Sequence, residues 1–284
     1  MTLTYIEGGE EMAKKIGHAV IVMLLILFAV IIFLPLIWMV LTGFKTNKEL
    51  FLEPWKLPDI WQFHNYLDAW KAGIGTFFKN SVIITVGSTM FSTLLACFAA
   101  YPISRIKFST KKFWVIVILG GLMLAPQSAV ISLFKMSKVI GLYNSYIGMI
   151  IITGAFRIPF ATFLIMTFYK DISVSLDESA FIDGAKTRQV FWKIIMPLSK
   201  PIIASCAIVS FRAVWNELMF ANVLLESTAK KTIPVGLVNL QGTTTTNWTM
   251  VMAGMVIASV PLVVVFLLLQ RQFIRGLTAG GVKG

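Results

Sequence analysis

The chain has 284 residues, 57% of them hydrophobic and 13% charged, with a mean hydropathy of +0.81. A soluble globular domain carries roughly 25% charged residues, so this composition excludes one and makes the bilayer the expected solvent. The 25 Lys and Arg against 13 Asp and Glu leave a net charge of +12. In a membrane chain that excess belongs to loops lying against anionic lipid, and no nucleic-acid partner is expected. Cys97 and Cys206 sit in apolar runs without ligand-like neighbours, so neither a disulfide framework nor a zinc site is indicated.

A span needs about 20 mostly apolar residues to cross the hydrocarbon. The sequence predicts an all-α, polytopic membrane protein with six such spans, near 19–42, 81–104, 113–134, 146–169, 202–225 and 250–269, read as a single transmembrane domain over 1–284. The first is too long for a signal-peptide core and lacks a small-residue cleavage site, so it is expected to be a retained anchor. The fourth is interrupted at Arg157-Ile158-Pro159, and the fifth contains Arg212 and Glu217.

Orientation follows from Lys and Arg rather than from net charge. Arg105, Lys107, Lys111 and Lys112 crowd the segment between spans two and three without an acid, which places it, and with it both termini, in the cytoplasm. On this topology the inside segments hold 14 Lys and Arg, the outside segments nine and the spans two. The first outside segment is the longest and carries Phe51, Trp55, Trp61, Phe63, Tyr66 and Trp70, residue types that collect at membrane interfaces.

Residues 170–200 form the largest inside segment and read as helix, turn, helix. Ser175 stands three before Glu178, a capping-box spacing, and Asp177 and Glu178 put negative charge in the first turn of a helix starting at Leu176. Leu176 and Ala180 share a face, Gly184 can supply a left-handed stop and Thr187 can cap a second helix. That helix sets Val190, Phe191, Ile194 and Ile195 on one side before Pro197. An amphipathic pair of this kind offers its apolar face either to a partner protein or to lipid.

The run Glu178-Ser179-Ala180, Asp183-Gly184-Ala185, then Ile194, Ile195, Met196 and Pro197, resembles the EAA loop of permease subunits in binding-protein-dependent ABC importers. The spacing is complete, with Ser179 for the second Ala and Met196 for Leu. Asn65-Tyr66, Asn80-Ser81, Gly141-Leu142 with Asn144, and Trp215-Asn216-Glu217 are similar to carbohydrate-type permeases, and the tail Gly276 to Gly284 is similar to that of the smaller maltose-type subunit. The resemblance implies a transport subunit and not an enzyme, with a second permease, two ATPase subunits, an external solute-binding protein and membrane lipid as partners. It implies that the helix around Glu178, Ser179, Ala180, Asp183, Gly184 and Ala185, with Ile194 and Pro197 behind it, docks in a cleft of the ATPase. Glu178 would face basic groups there, and Thr278, Gly280, Gly281 and Lys283 would lie along the ATPase interface. No GxxxxGK[ST] loop occurs in this sequence, so ATP and Mg are expected on the partner ATPase, with no cofactor in this chain.

Ionisable groups inside spans are costly and ask for partners or water, so Arg157, Arg212 and Glu217 are expected to face the bundle interior. Arg212 and Asn216 lie one turn apart. Trp215, Asn216, Glu217 and Arg212 then read either as lining of a solute pathway or as glue between helices. Pro126 and Pro159 are expected to kink helices or mark span ends, with Gln127 satisfying a freed backbone group. Import of a sugar or oligosaccharide is the leading functional reading. Import of another polar solute such as a glycerol phosphate, or ion-coupled secondary transport, are the alternatives. No intramembrane constellation with catalytic spacing is present in the sequence.

Overall fold

A computed structural model describes residues 3–241 and 246–278, with side chains from 15 to 241 and from 246 to 272. The elements in chain order are α1 (Leu3–Thr42), α2 (Asn47–Leu52), α3 (His64–Ala69), a π-helical turn (Trp70–Ile74), α4 (Gly75–Arg105), α5 (Lys111–Gly120), α6 (Pro126–Val139), α7 (Tyr146–Ala155) and α8 (Ile158–Asp171). They continue as α9 (Ser175–Ile182), α10 (Thr187–Val190), a second π-helical turn (Phe191–Ile195), α11 (Met196–Leu198), α12 (Lys200–Trp215), α13 (Met219–Leu224), α14 (Ile233–Asn239) and α15 (Trp248–Thr278).

Three stretches among the described residues are long and apolar enough to cross a membrane, Lys15–Thr42, His64–Arg105 and Trp248–Gln272. Three further pairs pass the same test only as bent units. Lys111–Met123 and Pro126–Val139 meet at 99°, Tyr146–Ala155 and Ile158–Asp171 at 50°, and Thr187–Leu198 and Lys200–Trp215 at 72°. The third and fourth expected spans therefore coincide with bent helix pairs rather than straight rods, and over the fifth, α12 ends at Trp215 and α13 follows after a short break. The breaks follow the chemistry. Pro126 and Pro159 occupy first-turn positions of α6 and α8, where a missing N–H costs nothing, so both prolines mark helix starts. At the first break the hydroxyl of Ser128, and not Gln127, bonds the Ala125 carbonyl at 2.8 Å.

The chain divides into two compact units. The first comprises 1–69 and 241–257. In it, buried Asn65 donates to the carbonyls of Gly43 and Lys45 at 3.0 and 2.8 Å, and the Lys45 ammonium, 1% exposed, donates to the carbonyls of Glu53 and Pro54. Thr46 and Glu49 form a capping box at α2, and Phe44 packs against Trp61, Phe63 and Tyr66. The first predicted outside segment is thus a folded element.

The second unit comprises 70–240 and 258–284. Here α4 is the central helix, packed against α7, α8 and α12. Small polar residues on its buried side, among them Ser81, Thr85, Ser88 and Ser92, let these helices approach closely, and Ser88 bonds Thr153 of α7 at 2.8 Å. One apolar cluster surrounds the C-terminal half of α4 through Ala96, Ala100 and Tyr101, with Ile165 and Tyr169 of α8. The other gathers Ile84, Met149, Ile152, Val214, Phe220 and Leu224. The motif residues Asn80-Ser81 and Asn144 fasten residues 225–233 beside this second cluster. Asn80 donates to the carbonyls of Ala229 and Lys231 at 2.8 and 2.9 Å and accepts from Tyr146, and Ser81 accepts from the Ile233 N–H. Asn144 sits at φ 50°, its side-chain carbonyl accepts from the Ser227 N–H and its backbone carbonyl from Lys230. Asn80→Ala is expected to cost about 2 kcal/mol, since two part-buried carbonyls lose their donor and the Tyr146 hydroxyl loses its acceptor. The check is a lower melting temperature in detergent with faster amide exchange confined to 229–233. Unchanged exchange there would remove the staple from the account.

Candidate functional site

The 170–200 segment folds as two short helices around a tight turn. Helix α9 begins at Ser175, one residue earlier than expected, and no side chain caps its first turn. The capping box is corrected to a serine turn: the Ser173 hydroxyl accepts from the Ser175 N–H at 3.3 Å and bonds the Ser175 hydroxyl at 2.7 Å. With its hydroxyl so engaged, Ser175 does not close a box with Glu178, which stays exposed.

The stop comes where the sequence predicts it. Gly184 adopts φ +80°, its N–H reaches the Phe181 carbonyl at 3.0 Å, and the Ala185 N–H reaches Ala180 at 2.9 Å. This pair of bonds closes a helix with a left-handed residue at its end. Thr187 is not the cap of the next helix. Lys186 precedes α10 and its N–H is held by the Gln189 side chain at 2.7 Å. The chain then widens into a π-helical turn, in which the Met196 N–H reaches back to Phe191, just before Pro197, which has no N–H to extend the ladder.

Which face is free decides what the segment can do. Val190, Phe191 and Ile195 are buried against Ala96, Tyr101, Ile165 and Tyr169, with Ile194 half-buried behind them. The apolar side of the second helix, expected to meet a partner or lipid, is therefore spent on the chain's own core. Ala180 is buried and Ala185 half-buried on the same cluster, whereas Leu176 points out. What projects is the outer side of α9: Leu176, Glu178, Ser179, Phe181, Ile182 and Asp183, with Ile182 85% exposed at the tip. Phe181 and Ile182 were not singled out by the sequence pattern. Their signal was present, since Phe181 and Ile182 fall in the last turn before the left-handed Gly184, where Ala180 already takes the inward position.

A second feature missed by the sequence reading fixes α9 from behind. Arg105, the last residue of α4, donates to the Ile172 carbonyl at 2.8 Å and lies 3.5 Å from the Asp177 carboxylate. The two side chains are 4% and 8% exposed. Arg105 Nε and Asp177 Oδ1 find no partner among the described residues, so the pair is loosely matched for a buried one. Burial pushes the Asp177 carboxyl above the usual carboxylate range, the Arg105 guanidinium opposes that shift and the Glu178 charge adds to it. The sign follows: folding holds the Asp177 proton more tightly than the unfolded chain does, so this group's own contribution to stability is present at acidic pH and fades as pH rises through its folded pKa. The attraction to Arg105 does not fully offset the burial of the carboxylate.

The span residues read as a possible pathway separate on inspection. Trp215 is buried, donates its indole N–H to the Ala258 carbonyl at 3.0 Å and stacks on Phe211 at 5.7 Å. Within this chain it packs helix against helix, the second of its two readings. Glu217 spends one oxygen on the Phe220 N–H at 2.8 Å, at the start of α13. Asn216 donates to the Arg212 carbonyl at 2.9 Å, and both side chains are exposed. Arg157 is half-buried at the break between α7 and α8. Of the tail residues, Thr278 ends α15, and Gly280, Gly281 and Lys283 lie outside the described residues. Among the described residues no group of three or more His, Cys, Asp or Glu is placed to hold a metal.

Residues 11–279 match the family model of the binding-protein-dependent transport system inner membrane component. The chain is 38% identical to the probable ABC transporter permease protein YurM of Bacillus subtilis, over 99% of this chain and 94% of that one. It is 32% identical to the trehalose/maltose transport system permease protein MalG of Thermococcus litoralis (97% and 99% covered) and 31% identical to the diacetylchitobiose uptake system permease protein NgcG of Streptomyces coelicolor (96% and 90%). A chain from the crystal structure of a bacterial ABC transporter involved in import of the acidic polysaccharide alginate superposes with a TM-score of 0.80, covering 92% of this chain and 98% of that one at 23% identity.

Proposed function

Because the chain belongs to the binding-protein-dependent transport system inner membrane components, we propose that the outer side of α9 is the surface through which a separate ATPase drives it. The protein is a multi-pass permease subunit of the cytoplasmic membrane and not an enzyme. It serves binding-protein-dependent import of carbohydrate, the class named in its relatives for diacetylchitobiose, trehalose/maltose and galactooligosaccharides. In the proposed assembly it pairs with a second permease, two ATPase subunits bind ATP and Mg, and a solute-binding protein delivers a sugar or oligosaccharide from outside. Both termini, the 105–112 loop and the 170–200 segment face the cytoplasm.

One observation carries this reading: a short helix locked into the core by Ala180 and by the helix behind it, presenting Leu176, Glu178, Phe181 and Ile182 outward. A rigid knob with an apolar tip and two carboxylates, Glu178 and Asp183, suits a socket with an apolar floor and a basic rim. Gly184 makes the knob narrow, and with φ +80° any residue with a Cβ there is strained. Asn216 and Arg212 keep the exposure a pathway role requires, and Thr278, Gly280, Gly281 and Lys283 are assigned to the ATPase interface on the family pattern alone.

Ile182→Cys in the reconstituted assembly is expected to form a disulfide with cysteines placed along the ATPase cleft, and ATP binding is expected to change its yield. Glu178→Ala is expected to weaken uptake about fivefold, the weight of one partly exposed charge pair. Failure of Ile182→Cys to cross-link to any ATPase position, with uptake intact, would place the coupling surface elsewhere.

A further inference from the structure

The helix that ends on Arg105 begins at a second feature. With 31 residues, α4 is about 45 Å long, and its N-terminal end borders a hollow of about 520 Å³ between the first π-helical turn, α4, Tyr146 and Ala229. Its volume falls in the range of small-molecule sites, and its lining mixes an aromatic ring with hydrogen-bonding groups. Trp70, 47% exposed, forms one wall, Thr76 and Lys79 project from α4, and Tyr146 closes the far side.

Two details make this a shaped site. The Trp70 indole lies against Gly75 so closely that a Cβ there would sit 2.7 Å from the ring, and Phe78 packs on it at 5.8 Å. The ring is thereby held in one orientation. Below it, Asn80 is 2% exposed and fully engaged with Ala229, Lys231 and Tyr146, so the floor is rigid and the Tyr146 oxygen, having donated its proton, is left as an acceptor. The Lys79 ammonium is exposed, and among the described residues no acidic side chain lines the hollow.

We propose that this hollow is a saccharide subsite, taking one pyranose ring with its C–H face on the Trp70 indole and its oxygens on Lys79, Thr76 and Tyr146. A flat apolar ring edged by donors and an acceptor matches a sugar, which presents C–H groups on one face and hydroxyls at its rim. The unopposed cation favours a ring bearing a carboxylate over a neutral one. The proposal rests on the import reading, because an importer has reason to hold its solute at the end of α4 remote from the ATPase knob.

The test uses the complete transporter in nanodiscs and saturation-transfer NMR with maltose and digalacturonate as probes. Saturation of pyranose ring protons is expected for at least one probe, about tenfold weaker binding in Trp70→Ala, and most of the signal kept in Trp70→Phe. Lys79→Gln, an exposed position that cannot unfold the bundle, is expected to weaken digalacturonate about threefold and maltose by less, since only the acid loses a charge partner as well as a hydrogen bond. No saturation by either probe, or equal saturation in wild type and Trp70→Ala, overturns the subsite. ATP-driven uptake of either sugar into proteoliposomes is measured in parallel. Uptake without saturation overturns the subsite and leaves the import reading standing, whereas saturation at Trp70 without uptake supports the subsite and counts against import of these sugars.

Discussion

Replacing both Phe181→Ser and Ile182→Asp is expected to abolish ATP-driven uptake, by about a hundredfold or more, without lowering the melting temperature of the permease. The asymmetry comes from burial. Both side chains are exposed in the folded chain, Ile182 at 85% and Phe181 at 47%, so removing them takes nothing from the core. In the assembly they would be fully desolvated, and apolar anchors at the centre of an interface commonly carry 2 kcal/mol or more each; a buried unpaired aspartate adds a desolvation penalty on top. Two such losses amount to about 4 kcal/mol, roughly a thousandfold in affinity. Copurification of the ATPase with the variant measures the loss directly. A double variant that still retains the ATPase and transports normally would show that the tip of α9 touches nothing.

The second large effect concerns the clasp behind that tip. Arg105→Met and Asp177→Leu are each expected to destabilise the protein by about 3 kcal/mol, because each leaves the other charge buried without its partner. The two side chains are 4% and 8% exposed, so solvent does little to soften the loss. The double variant is expected to recover most of that stability, since a matched apolar pair has no desolvation to overcome. In the single variants α9 loses its tether to α4, and uptake per ATP hydrolysed is expected to fall about tenfold while hydrolysis continues. A double-mutant cycle on melting temperature, together with amide exchange over 172–183, reads both effects. If the single changes add with no interaction energy, the pair does not hold α9. Acidification from neutral pH gives an independent check. Asp177 takes up its proton at a higher pH than an exposed aspartate and the folded chain holds that proton more tightly, so firmer amide protection of 172–183 is expected on acidification through that window, and Asp177→Asn is expected to abolish this pH dependence.

The EAA-like segment was readable because its features are local. A left-handed glycine, an apolar helix face and a proline that ends a hydrogen-bond ladder each act within a few residues, and Gly184, Val190, Phe191, Ile195 and Pro197 behave as the spacing required. The misreadings share one cause. Ser175 had a closer partner in Ser173, and Thr187 was displaced by Gln189. Each of these polar groups had more than one possible partner, and spacing alone does not rank them. The face of the second helix went to the chain's own core for the same reason: a periodic apolar stripe says that something covers it and does not say what.

The sequence by itself determined that this chain lives in a bilayer, that it is helical, and that 170–200 is a structured element, since composition and short-range stereochemistry require no knowledge of neighbours. Pro126 and Pro159 already marked the breaks in the third and fourth spans; only the tertiary structure decided the burial of Arg105 against Asp177 across 72 positions and the stapling of 229–233 by Asn80 across about 150. Those arrangements depend on which distant polar groups meet away from water. That is settled by the packing of whole helices against one another and not by any residue's own preference.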